Sequence, residues 1–408
     1  MTQQEEFLDS AVFRDRIQRV SHAAADAGLT AVVVGTGAEL QFLTGSTISS
    51  HERLTALVIP ALRQGVGDKA TTVAGGKAVL IAPEVERGDI VGTTLEHLDL
   101  TIELWQDGTN PYEIVANAVT PGIVHSANVQ ADSTAPTTIA VGESLPALHL
   151  LPILKACNAE AVLTTEVLRE IFMAKDATEL AQLRKAGAAI DRVFDHVPEL
   201  LQPGKTERDV AEKLHALILE YGHASVDFVI VGSGANGANP HHSYSDRVLE
   251  TGDVVVVDIG GTLPSGYHSD CTRTFVVSGN ANLDGSETPY LQQAREVWEV
   301  LRRAQEAGAA AVQPGVTAGE IDAIVRTVVE DAGYGEFFIH RTGHGIGLSV
   351  HEEPFIMAGN QLELVPGMAF SIEPGIYLPG KFGMRLENIV AVTDSGCESF
   401  NNQPHDLL

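Results

Sequence analysis

Four consecutive valines, Val254–Val257, run directly into Asp258. A short apolar run bounded by turn residues reads as a buried strand, and an ionisable group fused to its end has to be compensated. Past the turn-rich stretch Gly-Gly-Thr-Leu-Pro-Ser-Gly stands a second acid, Asp270. The two aspartates are equidistant from Pro264, so a hairpin folded there places them nearly opposite, with Cβ atoms about 4.5 to 5.5 Å apart. At that separation either one carboxyl is protonated or a cation neutralises both. The segment 369–393, AFSIEPGIYLPGKFGMRLENIVAVT, repeats the device: two strands around a Pro-Gly turn, with Glu373 and Glu387 equidistant from Gly380. Four converging carboxylates carry a charge of about −4, which two divalent cations neutralise.

The repetition extends beyond the hairpins. QPGKTERDV at 202–210 and QPGVTAGEI at 313–321 each place Pro-Gly before a threonine N-cap, with an acid three residues after the threonine. Each predicted helix ends near a glycine, Gly222 or Gly333, and each is followed by a strand-rich region holding an acidic hairpin. This predicts two related halves. Upstream, Asp176 and Glu179 form a capping box for a helix on which Leu180, Leu183, Ile190, Val193 and Phe194 recur at helical spacing. Before about residue 155 the pattern is different. DRIQRVSHAAADAGL reads as a helix ending at Gly28, TAVVVG as a strand, and LTALVIPA and KAVLIAP as strands flanking the loop RQGVGDKATTVAGG. We expect an α/β amino-terminal domain over 1–160 and a second domain over 161–408.

At 408 residues two domains are the first expectation. Acids outnumber bases 54 to 26, a formal charge of −28, which sets nucleic acid and anionic membrane aside as partners. The cysteines, Cys157, Cys271 and Cys397, are widely spaced and include no CxxC pair, which fits a reducing compartment. The first residues, MTQQEEFLDS, lack the features of a signal peptide, and a cytoplasmic location is expected.

Between the hairpins lies HRTGHGIGLSVHEEP, with His340, His344 and His351 and with glycines at 343, 345 and 347 that allow close backbone approach. One imidazole with four carboxylates is an oxygen-rich set, suited to manganese or cobalt more than to a structural zinc.

PHHSYSD, VVVVDIGG, GYHSDCTRTF, HRTGHGIGLSVHEEP, GMAFSIEPGIY and GMRLENIVAV resemble, in that order, the signature blocks of the metal-dependent Xaa-Pro peptidases, the prolidase and aminopeptidase P group. The resemblance is strong over about 165–400. It is looser in the first 160 residues, chiefly in LQFLTGSTISSHERLTALVIP. It implies an α+β pita-bread catalytic domain with two pseudo-symmetric halves behind the α/β domain. It implies two divalent cations, Mn2+ first with Co2+ or Zn2+ as alternatives, held by Asp258, Asp270, His344, Glu373 and Glu387. His241 and His351 then hydrogen-bond the substrate and its developing oxyanion, Glu373 also moves the proton, and His340 and Arg385 line the substrate pocket. His242 directly after His241, and Asn388 where the group often has aspartate, are departures that replace no ligand.

The expected activity is hydrolysis of the bond between an amino-terminal residue and proline in a small peptide, by water held between two cations, in a homodimer. Dipeptidase and aminopeptidase both fit. So do two readings of Arg385, as partner of a substrate carboxylate or as a charge that balances the acids. The competing functions are a catalytically silent pita-bread binding module, a metal-free creatinase-like amidinohydrolase and a methionine aminopeptidase. The complete ligand set argues against the first two, and the extra 160 residues against the third.

Overall fold

The computed structural model of the chain describes residues 10–62, 76–120, 137–278 and 289–407. The chain divides into two compact units, Met1–Phe172 and Met173–Leu408. The division falls later than 160/161 because Ala159–Leu163 pairs in parallel with Thr137–Val141 and so belongs to the sheet of the first unit.

That sheet contains β1 (Ala31–Gly35), β2 (Ala56–Pro60), β3 (Val79–Pro83), β4 (Thr101–Trp105), β5 (Thr137–Val141) and β6 (Ala159–Leu163), in the spatial order β4-β3-β2-β1-β5-β6. β1 and β2 are buried along their whole length, as runs without apolar-polar alternation require. The helix Ser10–Asp26 precedes β1, and Gly28 follows it with φ 74°, a conformation natural to glycine after a helix. The expected surface loop between β2 and β3, 63–76, lies outside the described residues except for Gly76.

The second unit opens with the helix Ala177–Phe194, capped by the Asp176–Glu179 box. The repeated Pro-Gly-x-Thr segments both become capped helices, Glu207–Glu220 behind Thr206 and Ala318–Asp331 behind Thr317, each with a complete capping box. Their surroundings match as well. Gly204 and Gly315 donate to the carbonyls of Leu249 and Leu364, both at 2.9 Å, and Thr206 and Thr317 bridge Val248 and Glu363.

Three antiparallel strands follow the first capped helix: β7 (Ser225–Ser233), β8 (Val254–Thr262) and β9 (His268–Val276). The four-valine run begins β8 and faces two cores. Val255 and Val257 pack with Val193, Leu214 and Phe275, while Val254 packs with Phe370, Ile376 and Val297. Side chains alternate faces along a strand, so Asp258 projects on the Val254 side. After the second capped helix come β10 (Gly343–Gly345), β11 (Glu352–Ile356), β12 (Ala369–Ile372), β13 (Gly375–Leu378), β14 (Phe382–Arg385), β15 (Asn388–Val392) and β16 (Cys397–Ser399). β13 and β14 form a two-stranded hairpin, and the others a sheet ordered β11-β10-β12-β15-β16. Among the described residues, no helix is long and apolar enough to cross a membrane.

Candidate metal centre

The register of each hairpin decides where its acids stand. On β8 and β9, Asp258 pairs with Thr272 and Gly260 with Asp270, so the two aspartates lie diagonally on one face instead of directly opposite. The turn is centred on Ser265, one residue beyond Pro264, because Leu263 and Tyr267 close it and Gly266 takes φ 87°. Diagonal neighbours remain within side-chain reach. In the other hairpin, Ala369 pairs with Ala391 and Gly375 with Arg385, both centred on Gly380 as expected. Glu373 and Glu387 occupy the gap where the two ladders part. With no pairing to each other, their backbone amides turn aside to the Thr342 and Thr272 carbonyls, at 2.9 and 3.2 Å.

His344 lies between Gly343 and Gly345 on β10. A Cβ at 343 would collide with the Ser371 carbonyl, and one at 345 with the Glu353 carbonyl, so glycine on both sides is what lets β10 press against its neighbours. The His344 Nδ1 donates to the Gly345 carbonyl at 3.1 Å, leaving the Nε2 lone pair for a cation. That Nε2 lies 3.4 Å from Glu373 Oε1 and 3.7 Å from Asp270 Oδ2. Burial, then His351, pushes the His344 pKa down to about 3, so the imidazole is neutral.

Asp270, His344 and Glu387 each offer a ligand atom, all within 4.8 Å of one another. Glu373 joins them through His344, and Ser371 Oγ donates to it at 3.2 Å. Thr272, the register partner of Asp258, donates to Glu387 Oε2 at 2.6 Å. Asp258 is buried, with Oδ2 against Arg385 Nη2 and with Oδ1 lacking any hydrogen-bond partner.

The electrostatics describe an incomplete charge set. Burial, followed by neighbouring carboxylates, holds the Asp270 and Glu387 pKa values well above the ordinary range. Burial raises Glu373 to about 7 against the opposing pull of Arg385. Buried like charges this close cannot all ionise unless a cation joins them. The orphaned Asp258 oxygen, the neutral Nε2 and the carboxylate oxygens form a donor set that fits hard divalent cations.

The remaining expected site residues group around this cluster. His351 is exposed, its ring edge-on to that of His344 with centroids 4.1 Å apart. His241 is exposed on the loop after β7. Its neighbour His242 is bound to the buried Glu207 at 2.8 Å, which separates the roles of the adjacent histidines. His340 donates from Nδ1 to the Arg341 carbonyl at 2.7 Å, and its Nε2 lies 2.9 Å from the Tyr377 hydroxyl. Arg385 is buried and donates to Asp258, to Tyr377 Oη at 2.8 Å, to Thr272 Oγ1 at 3.1 Å and to the Pro240 carbonyl at 3.4 Å. Its guanidinium is committed inside the acid cluster, so the geometry favours charge balance over pairing with substrate.

Sequence reasoning missed Thr272, Tyr377, Glu207 and Arg341. Thr272 was within reach once the hairpin centre is moved to Ser265. The other three act through tertiary neighbours.

The residues 181–394 match the family model of metallopeptidase family M24. The chain belongs to that family. This M24 peptidase is similar along nearly its whole length to the probable dipeptidase PepE of Mycobacterium tuberculosis, with 48% identity over 401 residues covering 98% of this chain and 97% of the relative. It is 33% identical over 375 residues to the Xaa-Pro dipeptidase of Lactobacillus helveticus, covering 90% and 91%. The crystal structure of dipeptidase PepE from Mycobacterium ulcerans superposes with a TM-score of 0.86 at 47% identity, covering 98% of each chain. The M24 peptidase is therefore a hydrolase, and its second unit has the pita-bread fold.

Proposed function

We propose that this M24 peptidase is a dinuclear-metal dipeptidase that cleaves the amino-terminal residue from Xaa-Pro. The observation that carries the reading is the convergence of Asp270, Glu387, Glu373 and a neutral His344, with the orphaned Asp258 oxygen beside them. These five residues would hold the cations, with manganese the metal that best suits the oxygen-rich set. Divalent cations there supply the Lewis acidity that activates water and polarises a scissile carbonyl. Glu373 takes a proton at its carboxylate and returns it to the departing imide nitrogen. His351 and His241, at the exposed edge of the cluster, donate hydrogen bonds where negative charge develops on the carbonyl oxygen. Arg385 pairs with Asp258 and holds it in place. The names of the M. tuberculosis and L. helveticus relatives support the dipeptidase reading over the aminopeptidase one.

The complete donor set leaves the silent binding module without support. The test is purified protein stripped with chelator, reloaded with Mn2+, and assayed on Xaa-Pro and Xaa-Ala dipeptides and on Xaa-Pro tripeptides. Two bound metals and turnover mainly of Xaa-Pro dipeptides is the expected result. Equal turnover of tripeptides would make the enzyme an aminopeptidase, and full activity in the stripped protein would remove the metal mechanism.

A further inference from the structure

Two guanidinium groups act on the acid cluster, and the structure uses them differently. Arg385 is buried with its donors on Asp258, Thr272, Tyr377 and Pro240. Arg341 is half-buried, its guanidinium lies over the Phe355 ring at 4.3 Å, and its side chain makes no hydrogen bond or ion pair with any described residue. Other arginines of this unit that are at least partly buried are partnered: Arg326 holds Asp322, Arg247 holds Asp253, and Arg273 holds the four backbone carbonyls of Thr272, Glu387, Gln403 and Pro404, with Asn388. With 54 acids to 26 bases, partners for an arginine are abundant in this chain, so a partly desolvated one without a carboxylate stands out.

The backbone of Arg341 is fixed relative to the site. His340 donates to its carbonyl at 2.7 Å. Thr342, the next residue, donates from its hydroxyl to Asp322 at 2.8 Å and accepts the Glu373 amide at 2.9 Å. The charge of Arg341 reaches the cluster without touching it. It helps to hold Glu373 down and to depress His344 and His351, while burial lowers its own pKa. Phe355 covers one face of the guanidinium, and its N–H edges are the geometry that a carboxylate accepts in pairs.

We propose that Arg341 is the specificity-determining residue that binds the free carboxylate of a dipeptide substrate. The assignment rests on the peptidase reading above and names the group that confines it to dipeptides. In a dipeptide the carboxylate is separated from the scissile carbonyl by a single residue, whereas a third residue carries it roughly 3.3 to 3.6 Å farther away. A cation fixed one residue from the Glu373 anchor, just beyond contact with the acids, selects the shorter distance.

The experiment compares an Xaa-Pro dipeptide with its carboxamide, using Mn2+-loaded wild type, Arg341→Gln and Arg341→Lys. For Arg341→Gln the KM of the dipeptide should rise by about tenfold or more, with kcat within about twofold, because a charge-assisted pair is lost. The KM of the carboxamide should not change, and Arg341→Lys should recover part of the loss. Equal effects on acid and amide would overturn the proposal and make Arg341 a modulator of the acid cluster. A check on the wild type alone compares inhibition by proline and by prolinamide. Proline should bind at least tenfold more tightly, and equal inhibition overturns the proposal even if the variants fail to fold. Lack of turnover on every peptide by the metal-loaded wild type would instead sink the peptidase reading beneath it.

Discussion

At the scale of single residues, the histidines divide by the protons they can still offer. His344 gives Nδ1 to a carbonyl and turns Nε2 to the acids, and His340 has both nitrogens engaged by Arg341 and Tyr377. Burial, then Arg385, lowers the His340 pKa to about 4, so it joins Tyr377 and Arg385 as a neutral link in a hydrogen-bonded chain. His351 is different: it is exposed and edge-on to the His344 ring. Under the proposed function it belongs to the face a substrate meets. His351→Ala should therefore keep its metals and lose kcat by roughly 10²-fold, the size expected for one lost oxyanion donor. Elemental analysis beside steady-state kinetics checks this. A variant that loses metal but turns over normally when reloaded would make His351 a ligand.

At the scale of elements, the loop that carries His241 is held from below by one carboxylate. Glu207, in the first turn of a capped helix, accepts from Ser233 N and Oγ, Asn236 Nδ2, Ser245 N and Oγ, and His242 Nε2, at distances of 2.5 to 3.2 Å. Burial alone would raise its pKa. The donors from Ser233, His242 and Ser245 outweigh burial and hold it at about 2. A carboxyl depressed in the folded state stabilises fully above its unfolded pKa and loses that contribution as pH falls through the folded value. Glu207→Gln should thus cost on the order of 3 kcal/mol at neutral pH, a deficit that shrinks between about pH 4.5 and pH 2. Urea unfolding of both proteins across that range measures it, and a deficit independent of pH would mean that packing, not charge, is what Glu207 contributes. The capped helices, the repeated Pro-Gly-x-Thr segments and the paired acids were legible in the chain because each depends on residues close in sequence. The β8–β9 register was legible only to within one residue, since the turn and not the acid spacing sets its centre. Glu207 and Arg341 were not legible at all. Their meaning lies in partners such as Ser233, Ser245 and Phe355, brought to them by tertiary folding.

At the scale of the whole molecule, the acid cluster makes the stability of the second unit a function of metal and pH together. Without cations, Asp270 and Glu387 are held well above their ordinary pKa values and Glu373 at about 7, by burial first and neighbouring charge after it. In the window above the unfolded carboxyl values and up to about pH 7, these three carboxyls bind more protons in the folded metal-free protein than in the unfolded chain. Their contribution to stability therefore falls as pH rises through that window. Cations held by the cluster would displace those protons, so their affinity and the stability they confer should rise over the same window. Many other groups titrate between pH 4.5 and pH 7, including histidines whose pKa is lowered by burial, such as His223 and His405. Lying outside the cluster, they titrate alike with or without metal and cancel in the difference between loaded and stripped protein, as does His344, which is neutral in both states. The difference in Tm between Mn2+-loaded and chelated protein should accordingly be small near pH 4.5, widen up to about pH 7 and level off beyond it. Scanning calorimetry at constant free Mn2+ measures that difference. A gap that stays constant or narrows with rising pH would show that cations do not take the place of protons on these carboxylates, and the assignment of the cluster as a metal centre would fall with it.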